Sequence, residues 1–173
     1  MSSYLSPIQL EFGVPGGVEA VAHSLRRYVN TMRDDEIIVK LDFANAFNIL
    51  RRDALMKTIA KFIPEIYCFV HATYSGEPNL QFIYCIIRCL EGPQQGYPLP
   101  SLEFCCSNHP LPQRLIAVAG LRHEFMNDII LAGKSSTVAQ NIHVIKEVGA
   151  ELGLRLSASK REIISKNTTK QFE

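Results

Sequence analysis

The chain has 173 residues, of which 47% are hydrophobic and 20% are charged, and its formal net charge is +1. This length fits one domain, 1–173, with enough apolar residues for a buried core. The near-neutral charge excludes a strong long-range field that would attract nucleic acid or an anionic membrane, although a local basic groove remains compatible with it.

Hydrophobic periodicity divides the chain into helices and short strands. Helices are predicted over residues 18–32, 51–62, 64–74, 101–107 and 135–152. Strands are predicted over residues 36–42, 80–90, 121–126, 129–131, 154–156 and 163–164. The helix 135–152 is the strongest, with Gly153 at its C-terminal end. This order indicates an α+β or α/β class, in which helices lie against one face of a mostly antiparallel sheet.

Cysteine usage and apolar runs indicate the compartment. The five cysteines form neither a CxxC pair nor a framework with matching histidines, and a reducing compartment is the simplest interpretation. The longest apolar stretch, 82–90, is interrupted by Arg88 and is too short to span a bilayer. The N-terminal residues lack the pattern of a signal peptide. We therefore expect an intracellular protein, nuclear or cytoplasmic, with no membrane partner.

Acidic residues stand at two strand ends. Asp42 ends an apolar strand, and Asn127-Asp128 occupies the turn of a predicted hairpin. A buried carboxylate is costly without a partner, and a metal ion is one such partner. Two carboxylate sites on neighbouring strands suit two-metal phosphoryl transfer. Taken alone, Asp42 is better explained as a cap or a loop residue that binds backbone amides, and Asn127 and Asp128 as ordinary turn residues.

Two other segments are ambiguous alone but specific in combination. Gln94-Gln95-Gly96 fits a polar loop, and Lys160 fits a solvated charge. Five ordered segments span residues of about 9–164, namely QLEFGVPGGVEAVAH, VKLDFANAFN, EGPQQGYPLP, FMNDIILAG and GLRLSASKRE, before a polar tail at 165–173. In this order they resemble the reverse transcriptase (RNA-directed DNA polymerase) domain of non-long-terminal-repeat retrotransposons.

The resemblance implies a fold and an activity. The fold is a right-hand polymerase palm with part of the fingers, as an antiparallel sheet backed by helices, without the thumb and endonuclease of full-length elements. The activity is RNA-directed DNA polymerisation by a two-metal mechanism with two Mg²⁺ (or Mn²⁺) ions. The implied partners are an RNA template, a DNA primer and deoxynucleoside triphosphates.

The resemblance also implies catalytic residues. Asp42 is the expected ligand of both metal ions, with help from the Phe43 carbonyl group. Asn127 and Asp128 occupy the hairpin of paired aspartates, so Asp128 is the second expected metal ligand. Lys160 is expected to approach the pyrophosphate leaving group as a general acid.

Substrate contacts follow from the same resemblance. Phe47 is expected to lie under the incoming sugar and to exclude a 2′-hydroxyl group by its bulk. Gln95 and Gly96 are expected to contact the nascent base pair and the template. Arg26 and Arg27 are candidates for phosphate contacts, although a solvated helix face explains them equally well.

Asn127 departs from the family motif, which is an aromatic residue, any residue, Asp, Asp. Asparagine has nearly the same shape but no charge, and its amide nitrogen cannot bind a metal ion. Magnesium requires hard, preferably anionic oxygen ligands in a strict geometry. Even a net loss of ~4 kcal/mol in transition-state stabilisation slows a reaction about a thousandfold. We therefore predict a poor or inactive polymerase.

Other departures cluster nearby. At three positions the family usually has another residue: Asp is frequent where this chain has Tyr97, Gly is expected at Pro100, and Asn is usual at Ser157. In addition, Glu103 stands at a helix position that is usually apolar, and Pro112 adds a second helix breaker beside Pro110. Residues whose local preferences conflict with a fold are evidence against efficient folding. These five residues therefore indicate an eroded copy of a retrotransposon, or equally a copy retained for another role. The alternative function is a non-catalytic nucleic-acid-binding remnant, which would bind in a salt-dependent way.

Two unrelated phosphoryl-transfer folds agree less well. A receiver domain has paired acids after its first strand, whereas Asp34-Asp35 precede a strand here. A nucleotide cyclase has a palm-like core, but its glycine-rich acidic signature is absent from the sequence.

Overall fold

The computed structural model describes residues 14–76, 79–94, 96, 98–116, 120–166 and 168–171. Its helices are α1 (Gly17–Thr31), α2 (Ala46–Ile49), α3 (Arg52–Phe62), α4 (Tyr67–Tyr74), α5 (Pro100–Asn108), α6 (Pro110–Gln113) and α7 (Ser135–Glu151), and a 3₁₀ turn covers Pro64–Ile66. Its strands are β1 (Glu36–Asp42), β2 (Asn79–Phe82), β3 (Cys85–Arg88), β4 (Arg122–Phe125), β5 (Asp128–Lys134), β6 (Glu162–Ser165) and β7 (Thr168–Gln171). Within these ranges, no helix combines the length and apolar character needed to cross a lipid bilayer.

A five-stranded antiparallel sheet, in the order β4-β5-β1-β6-β7, organises the fold. The central strand β1 pairs with β5 along its length, from Glu36 opposite Lys134 to Asp42 opposite Asp128. Strands β2 and β3 form a separate hairpin. These observations confirm the α+β class and the antiparallel sheet backed by helices.

Strand β1 reads as a continuous apolar run because both of its faces are covered. Val39 and Leu41 face the main core, which includes side chains from α3, α5 and α7. Since side chains alternate across a strand, Ile38, Lys40 and Asp42 share the opposite face. Ile38 is buried there in a small apolar cavity between α1 and the sheet. Lys40 and Asp42 are thus the polar end of a face that α1 covers in part.

The region around residues 79–90 differs from its prediction. The predicted single strand is a hairpin, in which Ile83 and Tyr84 form the turn and Ile83 has a φ of 54°. Tyr84 is almost fully exposed, and Ile86 and Ile87 are exposed as well. A run of apolar residues without glycine, proline or asparagine carries no turn signal, so the prediction missed this turn.

Smaller differences concern the helices and the tail. Helix α5 ends at Asn108, just before Pro110, and Pro110 begins α6, where its missing N–H group costs little. Pro112, which we predicted as a helix breaker, lies within α6. Residues 168–171 of the predicted polar tail form β7, which pairs with β6. On α1, Val18, Val21 and Val29 recur at helical spacing, but of these three only Val21 is buried. The predicted helix 135–152 is confirmed as α7.

Candidate active site

Asp42 and Asp128 stand directly opposite each other at the end of the β1–β5 pair. Directly opposed residues of an antiparallel pair have Cβ atoms about 4.5–5.5 Å apart on the same face. Asp42 is only 4% exposed, whereas Asp128 is half-buried. The strand register therefore brings the two predicted carboxylates together.

Asn127 lies in the two-residue turn between β4 and β5, after Met126, whose φ is 52°. Its side-chain Nδ2 donates a hydrogen bond to Asp42 Oδ1. The amide nitrogen must face the carboxylate, because the amide oxygen in its place would repel it. The backbone carbonyl of Asn127 also accepts a bond of 3.4 Å from the Phe43 N–H group. At the predicted ligand position the chain thus presents a hydrogen-bond donor.

Lys160 is paired with Asp42. Its Nζ lies 3.0 Å from Asp42 Oδ2. The segment after α7 brings it there, since Ser157 N–H donates to the Asp42 carbonyl at 2.8 Å and Ala44 N–H donates to the Arg155 carbonyl at 2.8 Å. The hydrogen bond to Asp42 and the negative charge of Asp42 raise the pKa of Lys160. Lys160 therefore neutralises Asp42 here, and its role as a general acid stays a prediction.

Lys40 is a member of the site that the sequence analysis missed. Its Nζ lies 3.3 Å from Asp128 Oδ2, and both side chains are partly exposed. Lys40 is two residues before Asp42 and so points to the same face of the sheet. The two-residue spacing of Lys40 and Asp42 could have predicted that both side chains lie on one face of the sheet. We did not use it, because we interpreted the strand as a continuous apolar run. Two ammonium groups thus balance the two carboxylates.

The side chains around Asp42 and Asp128, in the arrangement described above, do not fit a pair of divalent ions. Magnesium takes several hard oxygen ligands, and the site offers Asp42 and Asp128. Across the described ranges, no group of three or more His, Cys, Asp or Glu side chains is placed to hold a metal ion. Lys160, Lys40 and the Asn127 amide occupy the space and the lone pairs that cations would use.

The two predicted phenylalanines are core residues. Phe43 is 1% exposed, and its ring lies so close to α7 that a Cβ at Gly149 would be 3.1 Å from Phe43 Cε1. Phe47 is half-buried and stacks on Phe104, with a centroid distance of 4.5 Å and an interplanar angle of 17°. The predicted roles of the Phe43 carbonyl and the Phe47 ring towards a metal and a sugar remain predictions.

The loop after β3 docks closely on α2. Gly92 has a φ of +72°, and a Cβ there would lie 2.0 Å from the Phe47 carbonyl oxygen. Its N–H group donates to the Leu50 carbonyl at 2.9 Å. Gly96 is exposed, whereas Gln95 lies outside the described residues, as does Tyr97. The loop that carries the predicted template contacts is therefore anchored beside Phe47.

Arg26 and Arg27 are exposed on α1. Arg27 lines a cavity of about 500 Å³ together with Tyr28 and Gly120. The described contacts of Asp42 and Asp128 involve neither arginine, so phosphate binding by this pair stays a prediction.

Comparisons with known proteins show a similarity of fold to solved structures. No protein-family model matches the chain, and no curated protein matches it. Telomerase from Candida albicans, in complex with the TWJ fragment of telomeric RNA, matches with a TM-score of 0.69 and 13% identity over 98% of this chain and 33% of that one. Apo telomerase from Candida tropicalis matches with a TM-score of 0.65 and 12% identity over 86% of this chain and 32% of that one. The Candida tropicalis enzyme in complex with the TWJ fragment of telomeric RNA matches with a TM-score of 0.65 and 12% identity over 94% of this chain and 34% of that one.

These identities are too low to show more than the fold, and the chain spans about a third of the length of the structures it matches. Telomerase is a reverse-transcriptase-related enzyme. The chain therefore has a reverse-transcriptase-like fold.

Proposed function

We propose that the chain is a reverse-transcriptase-like domain of the non-long-terminal-repeat retrotransposon type, which binds an RNA template and a DNA primer and whose DNA synthesis is impaired. It would correspond to the palm with part of the fingers. The reverse-transcriptase-like fold and the ordered sequence segments support this assignment, because the segments carrying Asp42, Asn127-Asp128 and Lys160 converge on one end of the sheet.

The contact between Asn127 and Asp42 carries the proposal of impairment. In the family, two divalent ions would polarise the phosphate and activate the attacking oxygen. Here an amide donor stands at one expected ligand position, and Lys160 and Lys40 balance both carboxylates. A site with no net negative charge attracts divalent ions and their nucleotide complexes weakly. Deoxynucleoside triphosphate turnover should suffer more than binding of the nucleic acid.

RNA as a partner is supported by two matching telomerase structures, which are complexes with a fragment of telomeric RNA. Nucleic-acid binding depends mainly on contacts to phosphates, which do not require the metal site. Arg26 and Arg27, exposed on α1, are candidates for such contacts. Binding and synthesis are therefore separable in experiment.

The test compares this chain with its Asn127→Asp variant. Primer extension is measured on a primed RNA template with Mg²⁺ and then Mn²⁺, and binding of the same template is measured by fluorescence anisotropy at several salt concentrations. Fresh protein and a mass check guard against deamidation of Asn127. We expect both proteins to bind with similar salt slopes and the variant to extend primers about a thousandfold faster. Extension at similar rates would contradict the impairment.

The non-catalytic remnant is the competing function. It predicts equal, salt-dependent binding by both proteins and extension by neither. Absence of binding by both proteins would contradict the nucleic-acid-binding role in either form.

A further inference from the structure

Glu103 is a buried acid at a position where the resemblance predicts an apolar residue. It lies in α5 with no exposed surface. A buried carboxyl group is costly without a hydrogen-bond partner. Its Oε2 accepts a hydrogen bond of 2.7 Å from the Tyr74 hydroxyl group, which comes from the last turn of α4. Glu103 is therefore matched to a specific partner.

The Tyr74 hydroxyl group connects this acid to the loop after β3. Its oxygen accepts a hydrogen bond of 3.0 Å from the Gln94 N–H group. A phenol group has one proton to donate and lone pairs to accept with. Because Glu103 takes the proton, the oxygen of Tyr74 turns its lone pairs towards Gln94. The orientation of Tyr74 thus depends on an acceptor at position 103.

Arg52 holds the same assembly from the other side. Its guanidinium group lies 4.7 Å from the centroid of the Tyr74 ring. Its Nε donates to the Gly92 carbonyl at 3.0 Å. The pKa of Glu103 is raised above its usual value because burial is the largest effect, and the hydrogen bond from Tyr74 and the positive charge of Arg52 oppose this shift. The loop backbone from Gly92 to Gln94 is therefore held by side chains of α3 and α4, and α5 supplies the acid behind them.

We propose that Glu103 and Tyr74 are a positioning pair, which fixes the backbone at Gln94 and so the point from which the loop continues towards Gly96 and a bound template. The part about the template rests on the proposed function, whereas the fixing of Gln94 does not. Neither residue touches substrate; both act through the loop. Glu103 is then a functional adaptation and not a sign of erosion.

Amide hydrogen exchange, measured by NMR on labelled protein, tests the pair directly. In Tyr74→Phe and in Glu103→Leu, the Gln94 amide should exchange about tenfold faster, because it loses or weakens one hydrogen bond. The Gly92 amide, bonded to the Leu50 carbonyl, is the internal control and should not change. Glu103→Gln keeps an acceptor for Tyr74 and should restore slow exchange at Gln94.

Two features separate positioning from a merely structural role. Glu103→Leu removes the buried acid but leaves the Tyr74 hydroxyl group without its acceptor, so some loss of global stability is expected in this variant. A loss of global stability alone would accelerate exchange at Gln94 and Gly92 alike, so faster exchange at Gln94 than at Gly92 is the expected signature. Thr73→Val, which removes a neighbouring hydroxyl group that bonds within α4, is the matched control and should leave Gln94 unchanged.

Unchanged exchange at Gln94 in Tyr74→Phe, or equal acceleration at Gln94 and Gly92, would overturn the pair. In the Asn127→Asp background, Tyr74→Phe and Glu103→Leu should raise KM for the primed template more than they lower kcat, with recovery in Glu103→Gln. If the Asn127→Asp protein neither binds nor extends a primed template, the proposed function fails, while the exchange of Gln94 still decides whether the pair positions the loop.

Discussion

Asn127 donates its side-chain amide to the Asp42 carboxylate across the end of the β1–β5 pair. An aspartate in the same place would set a second negative charge against a nearly buried one, unless a cation lay between them. The same position can therefore serve as a metal ligand or as an internal neutral partner, but not as both. This chain has the neutral partner, and Lys160 completes the pairing of Asp42.

Replacement of Asn127 by aspartate should destabilise the metal-free protein, by ~1–3 kcal/mol at neutral pH, because a hydrogen bond is replaced by repulsion between carboxylates. Added Mg²⁺ or Mn²⁺ should raise the melting temperature of Asn127→Asp but not that of the unchanged chain. Differential scanning fluorimetry at constant ionic strength measures both effects. Asn127→Ser, which adds no charge, is the control; an equal response to divalent ions in all three proteins would contradict the prediction.

The two lysines should differ in their contribution to stability. Lys160→Met leaves the nearly buried Asp42 without its ammonium partner, whereas Lys40→Met exposes a half-buried Asp128 to water. We therefore expect the larger loss in Lys160→Met, since an uncompensated charge costs more where water is excluded. Urea unfolding at low and high salt measures the difference. Equal losses in both variants, abolished by salt, would indicate that Asp42 is hydrated.

Glu124 should make stability depend on pH. It is 1% exposed on β4, and neither carboxylate oxygen has a hydrogen-bond partner within the described ranges. Burial raises the pKa of Glu124 from 4.5 to about 8. Between these values the unfolded chain releases the proton while the folded chain retains it. The contribution of Glu124 to stability is therefore fully present below the unfolded pKa and is lost as pH rises through the folded pKa, by up to ~4 kcal/mol.

The Glu124→Gln variant has no carboxyl group to ionise at this position, so it should not lose this stability as pH rises. It should be more stable than the unchanged chain at pH 8. Urea midpoints from pH 5 to 8.5 test this. Burial lowers the pKa of His109 and His123, which gives the opposite slope near pH 6.5, so the difference between variant and unchanged chain is the relevant quantity. The exposed Glu65→Gln is the matched control. Parallel pH profiles of Glu124→Gln and the unchanged chain would refute a raised pKa.

Gly92→Ala should displace the loop from α2. A Cβ there would lie 2.0 Å from the Phe47 carbonyl oxygen, and the φ of +72° disfavours alanine. We expect a loss of more than ~1 kcal/mol in the free energy of unfolding. Gly76→Ala is the control, because nothing lies within 4 Å of its added Cβ. Chemical denaturation of the two variants side by side gives the answer; similar midpoints would show that the loop yields without cost.

Local patterns were sufficient for the long elements but not for contacts between distant residues. The apolar run of β1 and the helical spacing in α7 predicted both elements, because each buries a regular set of side chains. The opposition of Asp42 and Asp128 was expected only from the resemblance, and the sheet register accounts for it. The turn at Ile83 and Tyr84 had no compositional signal.

The polar partners were the least predictable part. Glu103 looked like a conflict with its helix because Tyr74, its partner, is 29 residues away in sequence. Pro100 likewise looked misplaced, although it starts α5, where proline is well accommodated. Pairings of this kind depend on how separate elements pack, and periodicity carries no information about them.

The position of Asp42 limits how the site can adapt to a ligand. Its backbone is hydrogen-bonded to β5 on one side, and its carbonyl accepts the Ser157 N–H group on the other. Lys160 and Lys40, in contrast, are long side chains with 67% and 41% of their surface exposed. Exposed side chains change rotamer within picoseconds to nanoseconds. The backbone of Asp42 is therefore fixed, and a ligand that approached its carboxylate would require rotamer changes of the two lysine side chains and no movement of the main chain.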